Sequence, residues 1–121
     1  MDRYSRVSLR DSAGKHRETD LRCVYVADTF ATRLVGLLSR KALAEHEAML
    51  IVPCKSIHTI GMRFTIDVVF LDKENKVLGM SSNVKPYRLR WAPKGTFSVL
   101  EVSDGNVNKT GIHLDDQLLF D

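Results

Sequence analysis

The spacing of apolar residues changes period twice along the chain. Residues 21–27, LRCVYVA, are β-branched and aromatic, which predicts a strand. Over 29–39 the apolar residues Phe30, Leu34, Leu37 and Leu38 recur at i, i+4, i+7 and i+8, the stripe of an amphipathic helix. Asp28 or Thr29 can cap its start. Gly36 inside that stripe costs about 1 kcal/mol against alanine and suggests close approach to a neighbouring backbone, or a helix that is ending. ALAEHEA reads as a further helical turn or as a connector.

From Met49 onward strands dominate. AMLIVP is a short buried strand stopped by Pro53, and MRFTIDVVFLD reads as the longest strand. KENK forms a hairpin turn into KVLGMSS, TFSVLEVS is a further strand, and DQLLF closes the series. DGNVNKTG between the last two is a turn or a single helical turn. Residues 4–10 alternate weakly enough for an edge strand, and DSAGKHRETD after them reads as polar turn material. Six or seven strands with short connections favour antiparallel pairing. The expected fold is mainly β, of α+β type: a small antiparallel sandwich or barrel-like sheet with one principal helix, 29–39, packed on it.

Length and composition fit this picture. The 121 residues are expected to make one domain, with 1–20 an N-terminal extension and 21–121 the core. Composition is ordinary for a soluble globular protein, no apolar run approaches a membrane span, and the charged N-terminus carries no signal-peptide pattern. The expected compartment is the cytoplasm. Cys23 and Cys54 stand in apolar segments and read as reduced, structural thiols. The net charge of +3 is mild, and its one concentration is the loop 85–95, with Lys85, Arg88, Arg90 and Lys94 around Tyr87 and Trp91.

Asp67 is the residue that breaks the pattern. Phe64, Ile66, Val68 and Phe70 make one apolar face, and the other face is nearly as apolar except for this carboxylate. The preferred reading is a buried, hydrogen-bonded aspartate, with an edge-strand charge or a pocket acid as alternatives. Arg33 on the helix flank is its expected partner, and Glu101, also an acid inside a strand, joins them in a structural polar cluster. Glu101 facing water at a strand end is an equal alternative. Upstream, His58, Met62 and Arg63 mark a candidate ligand cleft where imidazole and thioether could hold a soft or amphipathic ligand. Cys54 and His58 would be half of a zinc site whose other half is missing, so no metal or cofactor is expected. Phosphate-loop, nucleophile-elbow and zincin motifs are absent from the sequence.

The segments VADTFATRLVGLL, AMLIVPCKSIHTIGMRFTIDVVFLD, VLEVSDG and TGIHLDDQL together resemble the family called domain of unknown function 192. The resemblance rests on Arg33, Gly36 and Leu37, then Met62 and Arg63, then Asp67, Leu100, Glu101 and Gly105. Two positions depart from the pattern: Ala48 and Asp115 stand where glycine is common, which puts the tight turn at Asp115 in doubt. The resemblance implies a mainly antiparallel β fold with one or two helices. It implies no activity, and many relatives look exported.

The functional expectation is a non-enzymatic binding or accessory module with its cleft near His58, Met62 and Arg63, for a small ligand or a protein partner. One alternative is a metal-assisted or cysteine-dependent hydrolase using Cys54, His58, Asp67 or Glu101. The other is weak nucleic-acid binding through 85–95, ranked last because the loop reads as solvated.

Overall fold

The computed structural model describes residues 3–29, 42–54, 56–58 (backbone only) and 62–121. The helix expected at 29–39, and with it Arg33, falls outside the described residues, except for Thr29.

Eleven strands are present among the described residues: β1 Arg3–Tyr4, β2 Val7–Arg10, β3 His16–Glu18, β4 Cys23–Ala27, β5 Glu47–Ile51, β6 Ser56–His58, β7 Ile66–Leu71, β8 Val77–Val84, β9 Leu89–Trp91, β10 Ser98–Ser103 and β11 Gln117–Phe120. One short helix, α1, spans Asn106–Thr110. The mainly β expectation holds, and ALAEHEA is a connector leading into β5. The longest strand is β8, with eight residues, rather than the segment containing Asp67.

Six strands form an open sheet in the order β1-β4-β5-β10-β7-β8, so the β-rich fold is not a closed barrel. The pairing is antiparallel except between β4 and β5. A parallel pair needs a crossover of a dozen or more residues, and the stretch 28–46 between these strands is long enough to supply one. Counting only short connections is what made an all-antiparallel sheet look sufficient.

Each face of this sheet carries its own apolar layer. On one face Val24, Ala48, Leu50, Val69, Leu71, Leu100 and Val102 meet Val7 and Leu9 of β2, Leu118 of β11, and Val107 at α1. The three-stranded sheet β11-β2-β3 therefore lies over that face as the second layer of a sandwich. On the opposite face Met49, Ile51, Ile66, Val68, Phe70 and Val99 meet Leu43 and Met62 from connecting segments. The third unit is a two-stranded antiparallel ribbon, β6 with β9.

The tight β2–β3 and β7–β8 turns use one device. Asp11 Oδ1 accepts from the Ala13 and Lys15 amides, and Asp72 Oδ1 accepts from those of Glu74 and Lys76. An aspartate that bonds the backbone two residues ahead stabilises a turn locally. The β2–β3 hairpin is the one that sequence patterning misses: β3 is fully exposed and carries no apolar alternation. The turn at Asp115 forms without glycine, at φ 70°, with the Asp115 amide donating to the Val77 carbonyl at 3.0 Å. Aspartate is among the few non-glycine residues that enter the left-handed region readily.

Candidate functional site

Asp67 is 1% exposed, on the sandwich side of the six-stranded sheet. Its two oxygens serve different elements. Oδ1 accepts the Asn83 amide at 2.9 Å, and Oδ2 accepts the Val107 amide at 3.1 Å. Asn83 has φ 55° and lies where the β7–β8 register shifts between Ile66 and Val68, so its N–H leaves the regular ladder. Val107 is in the first turn of α1, whose N-cap Gly105 supplies no side-chain bond. Asp67 thus takes up one orphan amide from a bulge and one from a helix start. Backbone donors satisfy it, and its proposed Arg33 contact lies outside the described residues.

Glu101 is 3% exposed and occupies β10, in the middle of the sheet. Pairing puts Glu101 opposite Met49 on one side and Val68 on the other, whereas Asp67 pairs with Val102. Adjacent residues of a strand point to opposite faces, and directly paired residues share one. Glu101 therefore faces the layer of Met49, Val68 and Val99, and Asp67 faces the other layer. The two acids do not form one cluster. Burial among these apolar side chains pushes the Glu101 carboxyl up to about 7.

The three residues of the expected cleft are placed differently. Met62 is 5% exposed and belongs to the apolar layer that Glu101 faces, while Arg63 is exposed. His58 lies in β6, in register with Leu89, and Ser56 pairs with Trp91. The pairing joins the His58 segment to the basic stretch 85–95, two regions that sequence patterning treated separately.

That ribbon is the most unusual surface among the described residues. Tyr87, Leu89 and Trp91 are 68%, 51% and 76% exposed. They occupy alternate positions, with Arg88 and Arg90 between them reaching back to the carbonyls of Tyr87 and Leu89 at 3.3 and 3.0 Å. Tyr87 holds φ 63°, an outlier for a bulky residue. The chain then leads into an open recess of about 620 Å³ lined by Pro53, Lys73, Pro93, Lys94 and Phe97 among others. Lys73 Nζ stands 6.0 Å from the centre of the Phe97 ring. The period-two spacing of Tyr87, Leu89 and Trp91 was readable as a strand; reading it as a solvated loop missed both β9 and the exposed stripe.

Cys23 and Cys54 are half-buried and not joined in a disulfide. Among the described residues no three His, Cys, Asp or Glu side chains are grouped to hold a metal ion. No described helix is long and apolar enough to cross a membrane.

Two solved structures are similar over nearly all of the chain. One is a protein of unknown function from Novosphingobium aromaticivorans DSM 12444, at 23% identity and TM-score 0.79, with 94% of this chain and 83% of that chain covered. The other is designated a candidate transcription regulator, from Sinorhizobium meliloti 1021, at 21% identity and TM-score 0.81, covering 99% and 97%. At these identities the likeness establishes the fold alone. No curated protein matches the chain. The family model for domain of unknown function 192, described as an uncharacterized ACR, matches residues 12–120. The chain belongs to that family.

Proposed function

We propose that this protein is a non-enzymatic binding module whose ligand surface is the β6–β9 ribbon with its adjoining recess. The observation that carries this reading is the exposure of Leu89 and Trp91 on the strand paired with the His58 segment, and of Tyr87 in the bend that leads into it. Exposed apolar side chains scattered singly are ordinary, but three on one short ribbon between cations form a patch that a partner would cover. Of the cleft predicted at His58, Met62 and Arg63, the proposal keeps the His58 segment, which pairs with β9, while Met62 belongs to the core.

A hydrolytic role is less well supported. Both Asp67 oxygens are engaged by backbone amides, and Glu101 faces the opposite side of the sheet, so these acids cannot work on one substrate atom. Acid–base chemistry needs its groups within hydrogen-bond reach of a common centre.

Hydrogen–deuterium exchange with heparin, bulk RNA or anionic vesicles added in turn tests the reading. Protection should appear at residues 56–58 and 85–95 with at least one probe. Protection confined to other segments, or none with any probe, would remove the ribbon as the binding surface.

A further inference from the structure

We infer that the ribbon binds single-stranded nucleic acid, stacking bases on Trp91 and Tyr87 while Lys85, Arg88, Arg90 and Lys94 attract the phosphates. The inference rests on the ribbon reading and adds a partner class to it. Two stretches of the chain contain no Asp or Glu: residues 48–66, with Lys55 and Arg63, and residues 75–100, with Lys76, Lys85, Arg88, Arg90 and Lys94. Against a net charge of +3 for the whole chain, these seven cations leave the remainder at −4. In sequence the two stretches are separate. Pairing of β6 with β9 sets residues 56–58 of the first stretch beside Leu89–Trp91 of the second, so the backbone of one acid-free stretch runs beside Arg90 of the other.

The rings identify the kind of polyanion. Trp91 and Tyr87 are mostly exposed, and Leu89 between them is the stripe's single aliphatic side chain. On β9 Leu89 and Trp91 lie about 7 Å apart, and Tyr87 stands two residues before the strand, so the two rings are four positions apart. Separate exposed planar faces beside cations suit bases whose own faces are open, as in single strands, and not the closed stack of a duplex. A further ring, Phe97, is 37% exposed in the recess with Lys94. A membrane-seated ribbon would gain more from a cluster of aliphatic residues than from rings alternating with arginines.

The test uses the full chain and fluorescein-labelled oligothymidine and oligouridine, followed by anisotropy as salt is raised. Duplex DNA, heparin and anionic vesicles are the comparison probes. Both single strands should bind better than duplex or heparin, with log affinity falling linearly in log salt. Trp91→Ala should weaken binding about tenfold, and Trp91→Phe should recover most of it because a ring is restored. Lys94→Ala should leave the base preference intact and lower the salt slope by about one. Both side chains are exposed, and circular dichroism would verify that the variants fold.

Equal affinity for heparin and oligonucleotide, unaffected by Trp91→Ala, would overturn base stacking while keeping an anion-binding ribbon. Vesicle binding without oligonucleotide binding would replace the partner by a lipid surface and leave the ribbon reading standing. Silence with every probe would overturn both.

Discussion

Asp67 caps the start of a helix 40 positions away in sequence: its Oδ2 accepts the Val107 amide at 3.1 Å. The other oxygen holds the Asn83 amide at 2.9 Å, so one carboxylate ties the start of β7 to a bulge in β8 and to α1. A carboxylate in a doubly apolar strand is tolerated because two backbone donors meet it there. Removing it would leave the Val107 amide without its acceptor in the interior, and the Asn83 amide without its acceptor at the partly buried edge.

Asp67→Ala should therefore destabilise the fold by about 2–5 kcal/mol, since an unsatisfied buried donor costs about 1–3 kcal/mol. Asp67→Asn keeps one acceptor oxygen and should fall between Ala and the parent. Urea unfolding midpoints measure both. A near-native midpoint for the alanine variant would free Asp67 for a role in a pocket.

The other end of α1 is held from β3. Arg17 Nη2 donates to the carbonyls of Thr110 and Gly111 at 2.6 and 2.7 Å. Gly111 holds φ 70°, and a Cβ there would lie 2.7 Å from Arg17 Nη2. Gly111→Ala should cost about 1–2 kcal/mol from the left-handed backbone alone, and more as Arg17 is displaced. Arg17→Ala should cost about 1 kcal/mol. The double variant should cost less than the two added together, because both disturb one contact. Strict additivity in thermal unfolding would show that Arg17 does not support this helix end.

The sheet was largely readable because β4, β5, β7, β8 and β10 advertise themselves by apolar and β-branched runs. The strands that escaped are short, and β3, with no buried face, repeats nothing that periodicity detects. The burial of Asp67 was legible from Ile66 and Val68 beside it. Its partners were not, because the Asn83 and Val107 amides belong to backbone, and every residue except proline has such a donor. The faces of Asp67 and Glu101 depend on register: once Val102 pairs with Asp67, Glu101 must turn away. Residue types alone contain no register.

Ser98 offers a change in the opposite direction. It begins β10 opposite Leu71, and its hydroxyl is buried without a hydrogen-bond partner among the described residues. Ser98→Ala removes the unpaired polar atom with little change of volume. It should raise stability by about 1 kcal/mol. Differential scanning calorimetry would detect the rise, and a fall in midpoint would mean that the hydroxyl is satisfied in solution.

Glu101 should make stability depend on pH. In the folded protein its carboxyl holds a proton up to about 7, because burial penalises the charged form, against an ordinary value of 4.5. Between these values the folded state binds more protons than the unfolded state, so stability falls as pH rises through the window. Below pH 4.5 this group contributes no difference, and above pH 7 the folded state carries the full penalty, about 3 kcal/mol. Glu101→Gln keeps the shape of the side chain and removes its ionisation. The variant should match the parent near pH 5 within a fraction of that penalty and exceed it by up to about 3 kcal/mol at pH 8. Chemical denaturation of both proteins across pH 4–8 isolates the contribution, because all other titrating groups are shared. Parallel curves would show that ionised Glu101 is compensated in the folded protein.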